Sequence, residues 1–338
     1  MNQIKVGVIG CGYWGPNLIR NFNDIPNSKI VMVADLKKDR LNYIQHTYRG
    51  IATTENYRDL FNQNLDAVVI ATPPASHFTI AKECLEHGLH VMVEKPLTLN
   101  SVHAEELIEL AEKNNLVLMV GHTFEYNAAV RTLKELIDSG DLGEVHYLDA
   151  ARLNLGLFQR NSNVIWDLAP HDLSIMMYLT GKKPIAVSAH GLVCVFDDIF
   201  DVAYMNLVFP DNLMAHIHVS WLDPCKVRRV TVVGSKKMAV YNDVVNLEKI
   251  KIYDKGVETP DYTNGFGEFQ LSYRYGDILI PNIRLVEPLK VECKHFLECI
   301  TDNCKPLSGG EDGLNVVKIL EAAQRSLTNH GHMEEMKW

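Results

Sequence analysis

The chain has 338 residues, 47% of them hydrophobic, enough apolar mass for two cores rather than one. A formal net charge of −9, with no basic run longer than pairs such as Lys37-Lys38 and Arg228-Arg229, excludes an electrostatic nucleic-acid surface. The seven cysteines form no CxxC pair, and neither His216-x-His218 nor His330-x-His332 has a companion at ligand spacing, so neither a disulfide framework nor a metal is expected. With no apolar run long enough to span a bilayer and no signal-like segment ahead of the first strand, the expected location is the cytoplasm.

In chain order, apolar runs at 4–9, 29–34, 67–71, 90–93 and 116–120 alternate with helical patterns at 17–22, 76–87 and 101–114. Strands alternating with helices signify a parallel sheet, and Ala67-Val-Val-Ile-Ala71 is continuously apolar, as a strand covered on both faces should be. Ser101 is the expected N-cap of the last of these helices. After a helix over 128–139 the pattern changes. Strands at 144–154, 186–196, 202–209, 214–221, 229–241 and 249–253 follow one another with short turns and no helix between them, so a mainly antiparallel sheet is expected. Along 214–221, Ala215, Ile217, Val219 and Trp221 alternate with Met214, His216, His218 and Ser220, the second set being too polar for a core. Helices at 291–301 and 312–327 close the chain, and 258–288 is irregular, rich in Gly, Tyr and Pro. The expected division is a dinucleotide-binding domain over 1–123 and a second domain over 124–338.

Four segments carry chemistry. The first strand runs into Gly10-x-Gly12-Tyr13-Trp14-Gly15, and Asp35 ends the second strand twenty residues on. Glycines there allow a tight strand-to-helix turn, close approach of a pyrophosphate and close helix packing, while the acid accepts from a ribose hydroxyl. The pattern points to NAD. A carboxylate repels a 2′-phosphate, so NADP is disfavoured, although Arg40 and the lysines at 37 and 38 soften that preference. The second segment, Thr72-Pro73-Pro74 with Ser76 and His77, follows the third strand and suits the rim of a nicotinamide pocket as well as it suits a plain turn. The third, Glu94-Lys95-Pro96, places a lysine at a strand end, where it stabilises an oxyanion or lies on the surface. The fourth, Trp166-Asp167-x-x-x-His171, puts an acid and an imidazole one helical turn apart, the arrangement of a tuned base or of a cap and a helix face.

In their order and spacing these motifs, with Gly121-His122, make the chain similar to the glucose–fructose oxidoreductase / inositol dehydrogenase / MocA family over nearly its whole length. The resemblance implies an α/β Rossmann domain with a parallel sheet, plus an α+β domain whose large, open, mainly antiparallel sheet makes homodimer or homotetramer contacts. It implies hydride transfer between NAD and a carbon bearing a hydroxyl, with Lys95 and His171 acting on that hydroxyl and Asp167 beside them. Cofactor contacts are then expected from Gly10, Gly12, Tyr13, Trp14, Gly15, Asp35, Arg40, Thr72, Pro73, His77, Glu94, Lys95, His122 and Trp166. The passages 166–173 and 220–228 further resemble nucleotide-sugar 3-dehydrogenases, which oxidise the C3 hydroxyl of UDP-N-acetylglucosamine or its uronic acid. An anionic substrate of that kind needs donors, for which Arg131, Arg152, Lys226, Arg228 and Arg229 are candidates, with Tyr126, Asn127 and Trp221 for the sugar. An inositol or ketosugar dehydrogenase, and a non-catalytic NAD-binding regulator, are the alternative readings.

Overall fold

The computed structural model describes residues 3–258 and 272–338. It divides into two compact units, Met1–Tyr126 with Val286–Glu321, and Asn127–Leu285 with Ala322–Trp338.

The first unit is built on β1 (Ile4–Ile9), α1 (Gly15–Asn23), β2 (Ser28–Ala34), α2 (Lys38–Thr47), β3 (Ala52–Thr54), β4 (Ala67–Ile70), α3 (His77–Glu86), β5 (His90–Glu94), α4 (Ser101–Lys113) and β6 (Leu118–Gly121). The six strands are parallel in the order β3-β2-β1-β4-β5-β6. Val6, Val8, Val68, Val69, Ile70, Val91 and Val93 are wholly buried, because the helices cover both faces. The chain leaves β1 for β2 on one side and returns to β4 on the other, which opens a crevice at the carboxyl ends of β1 and β4. The sequence pattern gives five of these strands. It misses β3, whose three residues carry no period. The N-cap of α4 is Asn100, which accepts from His103 N, whereas Ser101 donates its hydroxyl to Glu321.

The second unit comprises α5 (Ala128–Asp138), β7 (Val145–Leu153), α6 (Val164–Thr180), β8 (Ala186–Leu192), β9 (Val202–Val208), β10 (Met214–Ser220), β11 (Val227–Gly234), β12 (Met238–Asn242), β13 (Ile250–Glu258) and β14 (Ser272–Leu279). With a short β15 (Glu334–Glu335) they form one sheet, β14-β13-β12-β11-β7-β10-β9-β8-β15, antiparallel except for β7 against β10. α6 stands between β7 and β8, where no helix is expected from the sequence; it packs on β7, β9 and β10, so one face is core and the other is open. Ala215, Ile217, Val219 and Trp221 lie on the buried face and Met214 on the outer, as the alternation requires. Ser220 departs from it: the residue is buried, and its hydroxyl accepts from Leu222 N. On the open face the Tyr204 and His218 rings stack 4.2 Å apart. The strand expected over 229–241 is a hairpin, because Gly234-Ser-Lys-Lys237 is turn chemistry. Of the segment expected to be irregular, 272–279 is β14, and 259–271 lies outside the described residues.

Two helices close the chain, α7 (Pro288–Asp302) and α8 (Gly310–Thr328). α7 belongs to the first unit, not to the domain after residue 123 in which the sequence places it. Its Leu289, Cys293, Phe296, Leu297 and Cys299 pack into one core cluster with Leu18, Phe22 and Tyr126. An apolar helix face does not reveal which core it joins.

Candidate functional site

In the glycine loop, a Cβ on Gly10 would stand 2.6 Å from Ala71 O, and one on Gly15 would stand 2.1 Å from Gly10 O, so packing alone demands both glycines. A Cβ on Gly12 would meet only Arg40 Nη1, at 3.6 Å, so its bare backbone faces open space where a pyrophosphate can lie. Asp35 is a strut as well as an acceptor. Its Oδ2 takes the Cys11 N–H at 2.6 Å and its Oδ1 the Lys37 N–H at 2.8 Å, with Arg40 Nη1 3.5 Å away. Burial, and then the charge of Asp35, push the Cys11 thiol up to about 12. Tyr13 and Trp14 stand exposed beyond the loop, edge to face at 5.7 Å. The loop fits a dinucleotide: backbone donors at a helix start, an open glycine and a fixed carboxylate at the end of the adjacent strand.

The strand ends around it are tied together. His77 is wholly buried, its Nδ1 2.8 Å from Pro96 O and its Nε2 2.8 Å from Thr72 O. It therefore joins the ends of β4 and β5 and holds the Thr72-Pro73 rim rather than touching a cofactor. Desolvation lowers its pKa, against the pull of the two carbonyls. Glu94 ends β5, and its carboxyl is pushed up to about 7 by burial, with Lys95 opposing. Its Oε2 would lie 3.1 Å from a Cβ on Gly121, the residue opposite in register. His122 is wholly buried and, among the described residues, neither ring nitrogen has a hydrogen-bond partner. Burial, and then the Lys95 charge, hold its pKa down at about 3. It too lies beneath the surface, which corrects the expectation of cofactor contact. Lys95 itself is half-buried.

Glu292 of α7 is the group the sequence reading missed. It is wholly buried, accepts from Thr123 Oγ1 at 2.7 Å, and is driven well above the usual carboxylate range by burial and then by Glu94. Its signal was present: an acid on the apolar face of a helix pattern over 291–301.

In the second unit, Asn163 caps α6 and accepts from Ile165 N and Trp166 N. This puts Trp166 and Asp167 in the first helical turns and half-buried His171 one turn later. Trp221 Nε1 donates to Asp167 Oδ2 at 2.9 Å. With 1% of its surface exposed, Trp221 offers no stacking face for a sugar and instead orients the acid. Arg152 is buried and forms a two-pronged pair with Asp172 at 2.7 and 2.9 Å, so it is not a substrate donor. Asn127 caps α5 and donates to Tyr241 Oη, which in turn donates to Asp243, so Asn127 is structural. Tyr126, in the first unit, is buried with its hydroxyl 3.0 Å from Ser308 Oγ, and is structural as well. Arg228 keeps a part-exposed head 3.4 Å from Asp243, Arg229 is an exposed partner of Asp149 at 3.7 Å, and Lys226 is exposed ahead of β11. Arg131 is half-buried on α5.

A parallel sheet with this loop and this acid defines a dinucleotide-binding protein. Residues 4–122 match the model of an oxidoreductase family with an NAD-binding Rossmann fold, and 130–240 match the GFO/IDH/MocA C-terminal domain. The chain belongs to the GFO/IDH/MocA family and is an oxidoreductase with NAD as its cofactor. It is 30% identical to UDP-N-acetylglucosamine 3-dehydrogenase of Acidithiobacillus ferrooxidans over 77% of this chain and 80% of that one. It is 25% identical to myo-inositol 2-dehydrogenase of Thermotoga maritima over 96% of both. The solved structure of the Acidithiobacillus enzyme superposes with a TM-score of 0.79 at 26% identity, covering 97% of this chain and 99% of that one.

Proposed function

We propose that the chain oxidises the C3 hydroxyl of a nucleotide-linked amino sugar, UDP-N-acetylglucosamine or its uronic acid. The observation that carries the catalytic part is the Trp221–Asp167 hydrogen bond, which fixes an acid one helical turn before His171. An imidazole beside an oriented carboxylate is a general base. Support for the substrate comes from the similarity to the 3-dehydrogenase and from the cations at the start of β11, Lys226 and Arg228, which suit a diphosphate or uronate.

The nicotinamide ring, when bound, supplies the hydride acceptor. The backbone over Gly10–Gly15 would hold the pyrophosphate, and Asp35 would accept from the adenosine ribose hydroxyls. His171 removes the hydroxyl proton, and Lys95 stabilises the oxygen as it gains negative charge. Glu94, placed next to Lys95, opposes the lysine's charge when it is ionised. In the same reading the open face of the nine-stranded sheet meets a second copy of the chain.

Lys95→Met tests the catalytic assignment: NADH affinity should be unchanged and turnover should fall by about a thousandfold, within the range for loss of an acid–base or oxyanion group. Undiminished turnover removes Lys95 from the mechanism. The second reading, a cyclitol dehydrogenase, is favoured by the full-length match to the inositol enzyme. A neutral cyclitol has no diphosphate, so UDP would then neither compete with substrate nor raise the melting temperature.

A further inference from the structure

The end of α7 carries two cysteines that the proposed reaction does not use. Cys299 is wholly buried in the first unit's core, and Cys304 is exposed. Asn303 between them caps the helix in the left-handed conformation at φ 51°, turning the chain back so that the two sulfurs lie 3.6 Å apart. His295, one turn before Cys299, has its Nε2 3.4 Å from the Cys299 sulfur. The same nitrogen accepts the Leu307 N–H at 3.0 Å, so its single lone pair is held by the backbone and the ring packs against the thiol. No other cysteine pair among the described residues shows a sulfur–sulfur contact of this kind. The described residues also hold no metal-binding group of three His, Cys, Asp or Glu side chains, which leaves thiol chemistry.

We propose that Cys299 and Cys304 are a reversible dithiol–disulfide pair, closed by exchange with a small-molecule disulfide of the glutathione class. Cys304, as thiolate, attacks one sulfur of that disulfide, forming a mixed disulfide and releasing one small thiolate. Cys299 then attacks the Cys304 sulfur, forming the Cys299–Cys304 bond, and its proton passes to the departing small thiolate, which leaves as the second thiol. Two protein thiols are oxidised and one disulfide is reduced to two thiols. Roles divide this way because access sets the order: only Cys304 meets solvent. Burial, and then the neighbouring Cys304, push the Cys299 thiol up to about 12, so it does not initiate the attack; its sulfur, 3.6 Å from that of Cys304, is placed to resolve the mixed disulfide.

The bond has a route to the cofactor loops within the same unit. A disulfide needs its sulfurs at about 2.05 Å, so one must move by roughly 1.5 Å. Cys299 is packed into the core, so the segment after Cys304 does the moving. Leu307 is tied to His295, and Ser308 Oγ donates to Val120 O at 2.7 Å, while Val120 N donates back to Ser308 O at 2.8 Å. Ser308 therefore anchors β6 one residue before Gly121, which pairs in register with Glu94, the neighbour of Lys95. Closing the disulfide pulls on that anchor and weakens NADH binding.

The experiment equilibrates the whole protein in oxidised or reduced glutathione, maps disulfides by peptide mass spectrometry, and titrates NADH by fluorescence. In oxidised buffer the wild type should show a Cys299–Cys304 link that reverses in reduced buffer. Cys299→Ser should trap a glutathione adduct on Cys304, and Cys304→Ser should leave Cys299 unmodified. NADH affinity should fall by about fivefold on oxidation of the wild type, the lower end of typical site-to-site coupling, and stay constant in the double serine variant. Absence of the link, or a link from Cys304 to Cys194 or Cys225, overturns the pair. A link with unchanged NADH affinity overturns the coupling. None of these readouts depends on the sugar substrate, so they stand apart from the proposed function.

Discussion

Replacing Arg152 by methionine separates a structural arginine from a substrate-binding one. Its side chain is 5% exposed and that of Asp172 is 2% exposed, and two hydrogen bonds join them. Methionine fills much of the arginine stem but leaves the Asp172 carboxylate buried and unpaired. Breaking such a pair costs about 3–5 kcal/mol, whereas replacing both partners by apolar groups is often nearly neutral. At about 2–4 °C per kcal/mol for a unit of this size, Arg152→Met should lower the melting temperature by roughly 6–20 °C. The double variant Arg152→Met/Asp172→Leu should recover most of the loss. The assay is thermal unfolding followed by circular dichroism, alongside substrate KM at a temperature where each variant is folded. An unchanged melting temperature with a raised KM would show that Arg152 binds substrate, and the structural assignment would fall.

Trp221→Phe removes the donor that orients Asp167. A hydrogen bond to a charged group is worth about 1.5–3 kcal/mol, so kcat should drop about 10- to 100-fold with NADH affinity unchanged, and an equal kcat would contradict the orienting role. Asp35→Ser removes both the anchor of Cys11 N and the charge that repels a 2′-phosphate. NAD affinity should fall while the NADP-to-NAD preference rises at least tenfold, and an unchanged ratio would show that Arg40 and its neighbours set the choice. Glu94 gives the pH prediction. Burial raises its carboxyl from 4.5 to about 7, so the folded chain holds that proton more tightly than the unfolded one. Stability therefore falls as pH rises from about 4.5 to about 7, by roughly 3 kcal/mol from this group, and Glu94→Gln should abolish that fall. Parallel stability–pH curves for wild type and variant would refute it.

The motifs that were legible in the sequence are those whose physics is local. Gly10, Gly12 and Gly15 follow from one turn, Asp35 from the strand after it, and the Asp167–His171 pair from helical spacing. What the sequence hid depends on where distant elements meet. Arg152 reads as a donor until Asp172 of α6 is found against it, and Trp221 reads as a sugar platform until its indole nitrogen is found on Asp167. His77 and His122 sit beside the right strand ends but face inward, an orientation that motif spacing does not encode. Glu292 required knowing that α7, some 170 residues downstream of β6, closes the first unit rather than the second. Ser101 and Asn100 show the same limit at one-residue scale, since either type caps a helix and only the backbone selects between them.

The most direct test of the proposed activity is NADH formation by the purified chain with UDP-N-acetylglucosamine, its uronic acid and free myo-inositol. A partner aminotransferase with glutamate and pyridoxal phosphate should be present to draw off a 3-keto product. NADH should form only with a UDP-sugar, and UDP alone should inhibit it. NADH with myo-inositol and none with either UDP-sugar would contradict the account and place the chain among the cyclitol dehydrogenases.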